Sequence, residues 1–331
     1  YIRQFGSGGS SGYSGYDFEP VTVTVEISTK NRYFTTLPIA LMSIIGQTRK
    51  PEKLTIYDDT DPDKRTDLRE NSLYQHIFTL LSQKGIGWEF VFGSGKGQIF
   101  NHQLAIERSP TTWIWRLDDD DWAEPDCLEK LIRNCGPGVG AVSSLVLTPG
   151  GEVSEHTASS KIEDIYSKPN LQWSRFSGVR EVDHFNNTFL FRKEAASHGY
   201  PLYLSPAGHR EETIFTYEMK RKRWKLLVDP DAVVWHLRDS QGGIRSHQQE
   251  EFWRQDEARF TEKMKDWGIT PSSSKLIILD SGLGDHYAFK PILPELRERY
   301  KGKEIQLAVC YPEVFADEPG IKLLSIHEGK T

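Results

Sequence analysis

Short runs of aliphatic and β-branched residues alternate with amphipathic stretches along the first half of the chain. Five of these runs predict β-strands: Val21–Ile27, Lys53–Tyr57, Trp88–Phe92, Trp113–Leu117 and Val139–Leu147. Apolar residues recur between the runs at the spacing of an amphipathic helix, in Leu37–Ile45, Leu68–Leu81 and Ile99–Ile106. Alternating strands and helices build a largely parallel sheet that helices cover on both faces. We therefore predict an α/β fold with a doubly wound sheet.

Changes in composition divide the chain into three segments. Residues 1–20 are rich in Gly, Ser and Tyr and cannot bury enough apolar surface to order themselves, so we expect a flexible tail. Residues 21–270 form the large domain, which a long amphipathic helix from about Gln248 to Trp267 closes. Pro271–Ser274 predicts a linker, and residues 275–331 begin a second, short βαβ unit.

Length and composition restrict the class of protein. With 331 residues, 37% of them hydrophobic, the chain can bury a full core, and its net charge of −6 argues against a general nucleic-acid-binding surface. The three cysteines, Cys127, Cys135 and Cys310, lack the spacing of a disulfide framework or a zinc site. No apolar run approaches the ~18 residues of a membrane-spanning helix, so we expect no transmembrane segment and a cytoplasmic location.

Four consecutive acids, Asp118 to Asp121, follow the predicted strand Trp113–Leu117. Ligands of a parallel sheet bind at the carboxyl ends of its strands, which is where these acids lie. Clustered carboxylates repel one another unless they share a cation, and oxygen ligands of this kind suit Mg²⁺ or Mn²⁺. The alternative is a solvated acidic turn ahead of a helix near Pro125, and the four acids alone do not distinguish the two.

Three further motifs place ionisable residues at the ends of predicted elements. Asp58 and Asp59 follow the second strand, where they could bind a nucleotide or form a turn. Glu211 and Glu212 open a predicted helix, where the helix dipole alone favours acids. His236 ends another apolar run, and a lone histidine in such a place is more often structural than a ligand.

Taken together, the motifs resemble those of the family 2 glycosyltransferases, which have the GT-A fold, from Val21 to about Gly268. Thr29–Arg32 resembles the family's T-x-N-R turn, Asp58–Asp59 its nucleotide-binding acids, and Leu117–Asp121 its DXD motif. Gly97 to Asn101 resembles the loop and helix that precede the metal strand.

Two more parts of the family pattern lie near the end of the large domain. Glu211–Glu212 falls where the family has an acid pair whose second member is the catalytic base, and His236 falls where many members have a further metal ligand. Lys30 departs from the usual tyrosine of the first motif, and Glu212 departs from the usual aspartate.

The resemblance implies a metal-dependent, inverting glycosyltransferase. Asp118, Asp120 and His236 would hold Mn²⁺ or Mg²⁺, which offsets the diphosphate charge of a nucleotide-diphosphate sugar, most often a UDP-sugar in this family. Glu212 would deprotonate an acceptor hydroxyl as general base, with Glu211 as its orienter or as a sugar contact. Donor contacts are expected from Thr29, Asn31, Arg32, Asp58, Asp59, Asn101, Asp118 and Asp119.

The sequence leaves the acceptor open among glycans, lipid-linked glycans, proteins and modified nucleic acid, with a glycan as the leading expectation. The basic stretch Lys220–Lys225 fits either a nucleic-acid contact or a solvated helix end. A sugar nucleotidyltransferase shares the sheet and the acids, but it needs a glycine-rich phosphate loop after the first strand, and Thr29–Arg32 contains no glycine. A non-catalytic module that binds nucleotide-sugars is the remaining alternative.

The C-terminal segment resembles a different family. Leu276–Asp285, a following helix and the strand Ile305–Val309 are similar to the opening βαβ unit of heptosyltransferase-like GT-B glycosyltransferases, whose catalytic aspartate Asp285 would match. Most of such an enzyme is absent from this segment, so we expect no second active site in it. We expect either a natural chain that continues beyond Thr331 as a fusion of two transferases or a docking appendage.

Overall fold

The computed structural model of the protein describes residues 20–151, 153, 161–163, 165, 177–239, 242–243, 249–270, 275–300 and 304–326. The predicted tail, up to residue 19, and the predicted linker at residues 271–274 lie outside the described residues. None of the described helices combines the length and the apolar character that crossing a membrane requires.

Strands and helices alternate along the chain. The strands are β1 (Val23–Thr29), β2 (Lys53–Asp58), β3 (Gly87–Phe92), β4 (Trp113–Arg116), β5 (Asp121–Ala123), β6 (Val139–Leu147), β7 (Arg180–Val182), β8 (Phe189–Arg192), β9 (Lys225–His236), β10 (Lys275–Leu279), β11 (Ile305–Val309) and β12 (Ile321–Ser325). The α-helices are α1 (Leu37–Ile45), α2 (Ser72–Gln83), α3 (Gln98–Arg108), α4 (Cys127–Arg133), α5 (Glu211–Arg221), α6 (Gln249–Asp266), α7 (Leu283–Phe289) and α8 (Leu293–Arg299).

Most strands of the described chain belong to one large sheet. Its nine strands have the order β3-β2-β1-β4-β8-β6-β9-β5, with β7 added to β9. The first four are parallel to one another, and β8 runs antiparallel to β4 and β6. This mostly parallel sheet, with helices on both faces, confirms the predicted doubly wound α/β fold.

The two faces of the sheet bury different cores. Val23, Val25 and Ile27 of β1 join the core that α1, α2 and α4 cover, whereas α3, α5 and α6 cover the opposite core. Because side chains alternate along a strand, β1 presents Thr24 and Glu26 to the second face, where both are buried. A carboxylate therefore lies in the interior beneath α3.

Two elements differ from their predicted bounds for local reasons. The helix predicted over Leu68–Leu81 is a 3₁₀ turn followed by α2, because the Asn71 side chain accepts a hydrogen bond from the Leu73 amide and starts a new helix. The apolar run that ends at His236 is the last part of a longer strand, β9. Its register on β6 shifts beside Pro230, which has no N–H to donate.

The C-terminal segment has a sheet of its own. Among the described residues, β10, β11 and β12 form a parallel three-stranded sheet. Leu293, Leu307 and Phe315 lie in the small core beneath it. This arrangement confirms the predicted short βαβ unit.

Candidate active site

A cleft of about 280 Å³ opens at the carboxyl ends of β1, β2 and β4. Its lining consists of Ser28, Thr29, Lys30, Arg32, Asp59, Gln98, Asp118, Asp119, Asp120, Ala207, His236, Gly243 and Trp253. Parallel strands end at the same edge of a sheet, and this edge therefore gathers residues that are far apart in the chain.

Asp120, Asp121 and His236 meet at one side of the cleft, and we call them the cleft cluster. One ligand atom of each lies within 4.8 Å of the others. The cluster forms because β5 pairs antiparallel with β9, with Asp121 opposite His236. His236 Nδ1 lies 3.1 Å from Asp121 Oδ1 and 3.7 Å from Asp120 Oδ1.

The groups of the cleft cluster act strongly on one another. Burial raises the pKa of the Asp121 carboxyl to about 7, against the opposing effect of His236. Burial lowers the pKa of His236, but Asp121, Asp120 and Asp118 outweigh burial and raise it to about 9. In the described part of the chain, Asp121 Oδ2 is buried without a hydrogen-bond partner. An unpaired carboxylate oxygen beside a second carboxylate and an imidazole fits a divalent ion.

The sequence assigned the metal to Asp118, Asp120 and His236. The structure brings Asp120 and His236 together and adds Asp121, which the sequence reasoning missed. Asp118 lines the cleft outside this cluster, with its Oδ1 3.6 Å from Arg116 Nη2. Asp121 could not be selected from the sequence, because its contact with His236 depends on the pairing of β5 with β9.

Thr29, Arg32 and Asp119 line the cleft beside this cluster. Arg32 Nη1 lies 2.5 Å from Asp119 Oδ1 and 2.9 Å from Asp120 Oδ2, and Thr29 Oγ1 donates to Asp119 Oδ2 over 2.7 Å. Burial raises the pKa of Asp119 to about 7, and Arg32 opposes the rise. The guanidinium therefore offsets part of the acid charge at this edge.

The second acid pair organises loops at the edge of the cleft. Asp58 is fully buried and accepts hydrogen bonds from the Tyr33 hydroxyl over 2.5 Å and the Thr60 amide over 3.0 Å. Asp59 lines the cleft, and its two oxygens accept the amides of Gly95 and Gly97 over 2.8 and 2.7 Å.

Glycine at position 93 is required by this packing, since a Cβ there would lie 2.6 Å from Asp59 Oδ1. Asn101 donates to Ser28 Oγ over 2.9 Å and lies beside the same glycine. Asn31 has a left-handed backbone, with φ of 60°, and its amide donates to Thr60 Oγ1 over 3.0 Å. Asn31, Asp58 and Asn101 lie outside the cleft lining.

Glu211 and Glu212 begin α5 and also lie outside the cleft lining. The two side chains differ in exposure, at 0% for Glu211 and 18% for Glu212. Arg116 Nη2 lies 2.9 Å from Glu211 Oε1 and 3.1 Å from Glu212 Oε1. Burial raises the pKa of Glu211 well above its ordinary value, and Arg116 opposes the rise. Glu212 is thus the member of the pair nearer to solvent.

The helix α6 adds an aromatic side chain that sequence reasoning missed. Trp253 lines the cleft, is 48% exposed and stacks on His209 with ring centroids 5.5 Å apart. One turn later, Asp256 is buried and accepts hydrogen bonds from the amides of Ser205 and His209 over 2.7 and 3.1 Å. These bonds fix α6 against the loop that leads to Glu211.

Comparison with solved structures finds matches at low sequence identity. One is GalNAc-T7 with UDP, GalNAc and Mn²⁺, with a TM-score of 0.53 and 13% identity over 86% of this chain and 55% of that one. Another is S. aureus TarS, with a TM-score of 0.47 and 13% identity over 85% of this chain and 50% of that one. The chain therefore spans about half the length of these two proteins.

Sequence comparison gives the family. None of the curated protein sequences matches the chain. The sequence profile of Glycosyl transferase family 2 matches residues 24–196, a range that runs from β1 past β8 and includes the acids at the ends of β2 and β4. This range is more than half of the chain, and the protein belongs to glycosyl transferase family 2.

Proposed function

We propose that this chain is a metal-dependent, inverting glycosyltransferase that moves a sugar from a UDP-sugar to a hydroxyl of a glycan. The cleft cluster carries the proposal, because it places an unpaired buried carboxylate oxygen beside Asp120 and His236 at the ligand-binding edge of the sheet. GalNAc-T7, which has a similar fold, was crystallised with UDP, GalNAc and Mn²⁺, which supports this choice of nucleotide and ion.

The residues present fit a divalent ion of the Mn²⁺ or Mg²⁺ type. Asp120, Asp121 and His236 would hold it, with Asp118 at the same edge of the cleft. The ion supplies positive charge that stabilises the departing nucleoside diphosphate. Arg32 holds Asp119 and Asp120 in place beside it.

The donor lies along the strand ends in this proposal. Thr29, Arg32 and Asp119 line the cleft. We expect them to contact the diphosphate or the ribose of the donor. Asp59 shapes the loop at Gly95 and Gly97, so that its carboxylate acts on the nucleotide pocket through the backbone as well as directly. Asn31, Asp58 and Asn101 support this pocket from outside its lining.

Glu212 is the proposed general base. Its carboxylate is partly exposed, whereas that of Glu211 is buried against Arg116 and lies 3.3 Å from Gln98, a cleft residue. Removal of a proton from the acceptor hydroxyl as it attacks from the face opposite the leaving group gives inversion. Glu211 supports the site indirectly, through its contacts with Arg116 and Gln98.

Two observations support a glycan rather than nucleic acid as the proposed acceptor. The exposed indole of Trp253 offers an apolar face at the cleft mouth of the kind on which a sugar ring can pack. The basic stretch, by contrast, is engaged on the surface, since Lys220 pairs with Glu181 and Arg221 with Glu218. These pairs favour the solvated helix end over a nucleic-acid contact.

A hydrolysis screen tests the proposed reaction. Purified protein is incubated with UDP-glucose, UDP-galactose, UDP-N-acetylglucosamine and UDP-N-acetylgalactosamine, with Mn²⁺ or with a chelator, and released UDP is measured. We expect slow UDP release from at least one donor, and only with the metal. Equal release with the chelator would contradict metal dependence, and no release from any of the four donors would contradict the proposed transfer from a UDP-sugar.

We also propose that the large domain, residues 21–270, carries the whole reaction, because every proposed site residue lies within it. A chain ending near Pro271 should therefore keep UDP release at the wild-type rate. A truncated protein that is folded but inactive would show that the C-terminal segment completes the site.

A further inference from the structure

A group of charged residues lies in the interior beside the proposed base, and we call it the interior cluster: Glu26, His102, Arg116 and Glu211. Glu26 of β1 and Arg116 of β4 are partners in strand register, so that both point to the face covered by α3. His102 of α3 joins them, with its Nδ1 2.7 Å from Glu26 Oε1 and its Nε2 3.8 Å from Glu211 Oε1. All four side chains are at most 2% exposed.

Arg116 uses one nitrogen for three acids. Its Nη2 lies 2.9 Å from Glu211, 3.1 Å from Glu212 and 3.6 Å from Asp118. Its Nε and Nη1 are buried without a hydrogen-bond partner in the described part of the chain. An arginine that only neutralises a buried carboxylate gains most from a two-pronged contact that uses the fork of its donors.

This geometry is unfavourable for a purely structural ion pair. Burying a guanidinium with two unpaired donors costs stability that an apolar pair of similar volume avoids. Unpaired buried donors of this kind in a native protein call for an explanation. The position of Nη2 supplies one, because it joins buried Glu211 to partly exposed Glu212 and to Asp118 of the cleft lining.

We propose that Arg116 is a positioning residue that gives the two glutamates different roles in the reaction. It retains Glu211 in the interior, where His102 faces the same carboxylate from α3, and it holds the Glu212 carboxylate at the inner side of the site. This inference rests on the proposed function, in which Glu212 is the general base. In this proposal, Arg116 at the end of β4 determines which of the two glutamates acts as the base.

The test is a double-mutant cycle of Arg116→Lys and Glu212→Gln. Lysine keeps the positive charge, but its single ammonium group replaces the planar guanidinium and cannot contact Glu211 and Glu212 in the same geometry. We expect Arg116→Lys to lower kcat for UDP release about 10-fold or more, with KM for the UDP-sugar within about 2-fold of wild type. In the Glu212→Gln background the same change should lower kcat no further, because the residue through which Arg116 acts is gone.

A matched control separates positioning from packing. Arg192 lies over Trp113 at the opposite end of β4, with its Cζ 4.8 Å from the ring centroid. We expect Arg192→Lys to lower the melting temperature without changing kcat. If Arg116→Lys does not fold, the double variant Arg116→Met/Glu211→Met removes both charges of the buried pair and should fold, with the same loss of kcat and the same lack of additivity with Glu212→Gln.

The outcomes distinguish the positioning role of Arg116 from the proposed transferase function. If the wild-type protein is active and Arg116→Lys has the same kcat, the positioning role alone is overturned. Losses of kcat that multiply across the cycle also overturn it, since Arg116 would then act independently of Glu212. Wild-type protein that releases UDP from none of the four donors overturns the proposed function itself.

Discussion

The cleft cluster and the interior cluster contain the same kinds of side chain in opposite surroundings. Asp120, Asp121 and His236 stand at the edge of a cavity, and one carboxylate oxygen there has no partner among the described residues. Glu26 and Glu211 lie in the interior, where each also has one oxygen without a hydrogen-bond partner among the described residues, and they differ from the cleft cluster in having the guanidinium of Arg116 and the imidazole of His102 beside them. In the chain, only Leu117 separates Arg116 from the first of the four acids, Asp118.

The difference shows that residues close together in the chain, Arg116 at the end of β4 and Asp120 and Asp121 just after it, belong to two different electrostatic environments. Acids at the cavity edge are left with charge that a ligand can neutralise, whereas acids in the interior must be neutralised by the protein itself. The first arrangement predicts a dependence of ligand binding on a cation. The second predicts a dependence of turnover and stability on the interior arginine.

The largest effect is expected at Glu212, which contacts Arg116 of the interior cluster. Glu212→Gln keeps volume and hydrogen bonding but removes basicity, so that kcat should fall by about 10² or more while UDP affinity stays near wild type. Glu211→Gln should lower kcat much less, because the Glu211 carboxylate is buried and lies outside the cleft lining. Steady-state kinetics with the acceptor checks both, and the reverse pattern would move the base to Glu211.

The cleft cluster should control nucleotide affinity through the cation. Asp121→Asn leaves the shape of the site and removes the charge of the unpaired oxygen, and we expect the affinity for UDP with Mn²⁺ to fall about 10- to 100-fold. Without the metal, wild type and variant should bind UDP equally weakly. Calorimetric titrations with Mn²⁺ and with a chelator measure this, and identical affinities of wild type in both would refute a metal at this cluster.

Trp253 tests whether the same cleft also receives the acceptor. Trp253→Ala removes an exposed stacking surface of the cleft, so we expect KM for a glycan acceptor to rise about 5- to 10-fold. The rate of UDP release by hydrolysis should change less than 2-fold, because water is then the acceptor and no glycan has to bind. A matched Trp122→Ala change, at an exposed tryptophan outside the cleft lining, should leave both values unchanged.

The sequence predicts the parallel part of this architecture well, because its information is local. The run Val139–Leu147 is strand β6 with the same bounds, and the acids after β2 and β4 reach one edge because parallel strands end together. The partner of His236 could not be chosen in the same way. Asp121 meets it only through the antiparallel register of β5 and β9, which depends on tertiary structure.

The interior cluster was equally hidden from sequence reasoning. Glu26 alternates with Val25 and Ile27, and that pattern ordinarily indicates a strand with one solvated face. Burial of Glu26 depends on α3 covering that face and bringing His102 to it. Such a polar core contact leaves no periodic signal in the chain.

The smallest expected effect is a change in the pH dependence of stability on removing Glu26 from the interior cluster. Burial raises the pKa of Glu211, with further contributions from Glu212, Asp118 and Glu26 and an opposing one from Arg116. An acid whose pKa is raised on folding contributes stability below its unfolded pKa of about 4.3, and this contribution is lost as pH rises. Wild-type stability should therefore decline from pH 5 to pH 8 on account of this group.

Glu211 faces Glu26, His102 and Arg116 in the interior cluster. Glu26→Gln keeps a hydrogen-bonding partner for His102 and removes the one negative charge of Glu26. The pKa of Glu211 should fall toward its ordinary value, and the decline of melting temperature between pH 5 and pH 8 should become shallower. Glu107→Gln, an exposed change on the same helix as His102, removes the same formal charge and should leave the slope unaltered. Equal slopes for wild type and Glu26→Gln would show that Glu26 and Glu211 do not share one electrostatic unit, and the contrast between the two clusters would then rest on Arg116 alone.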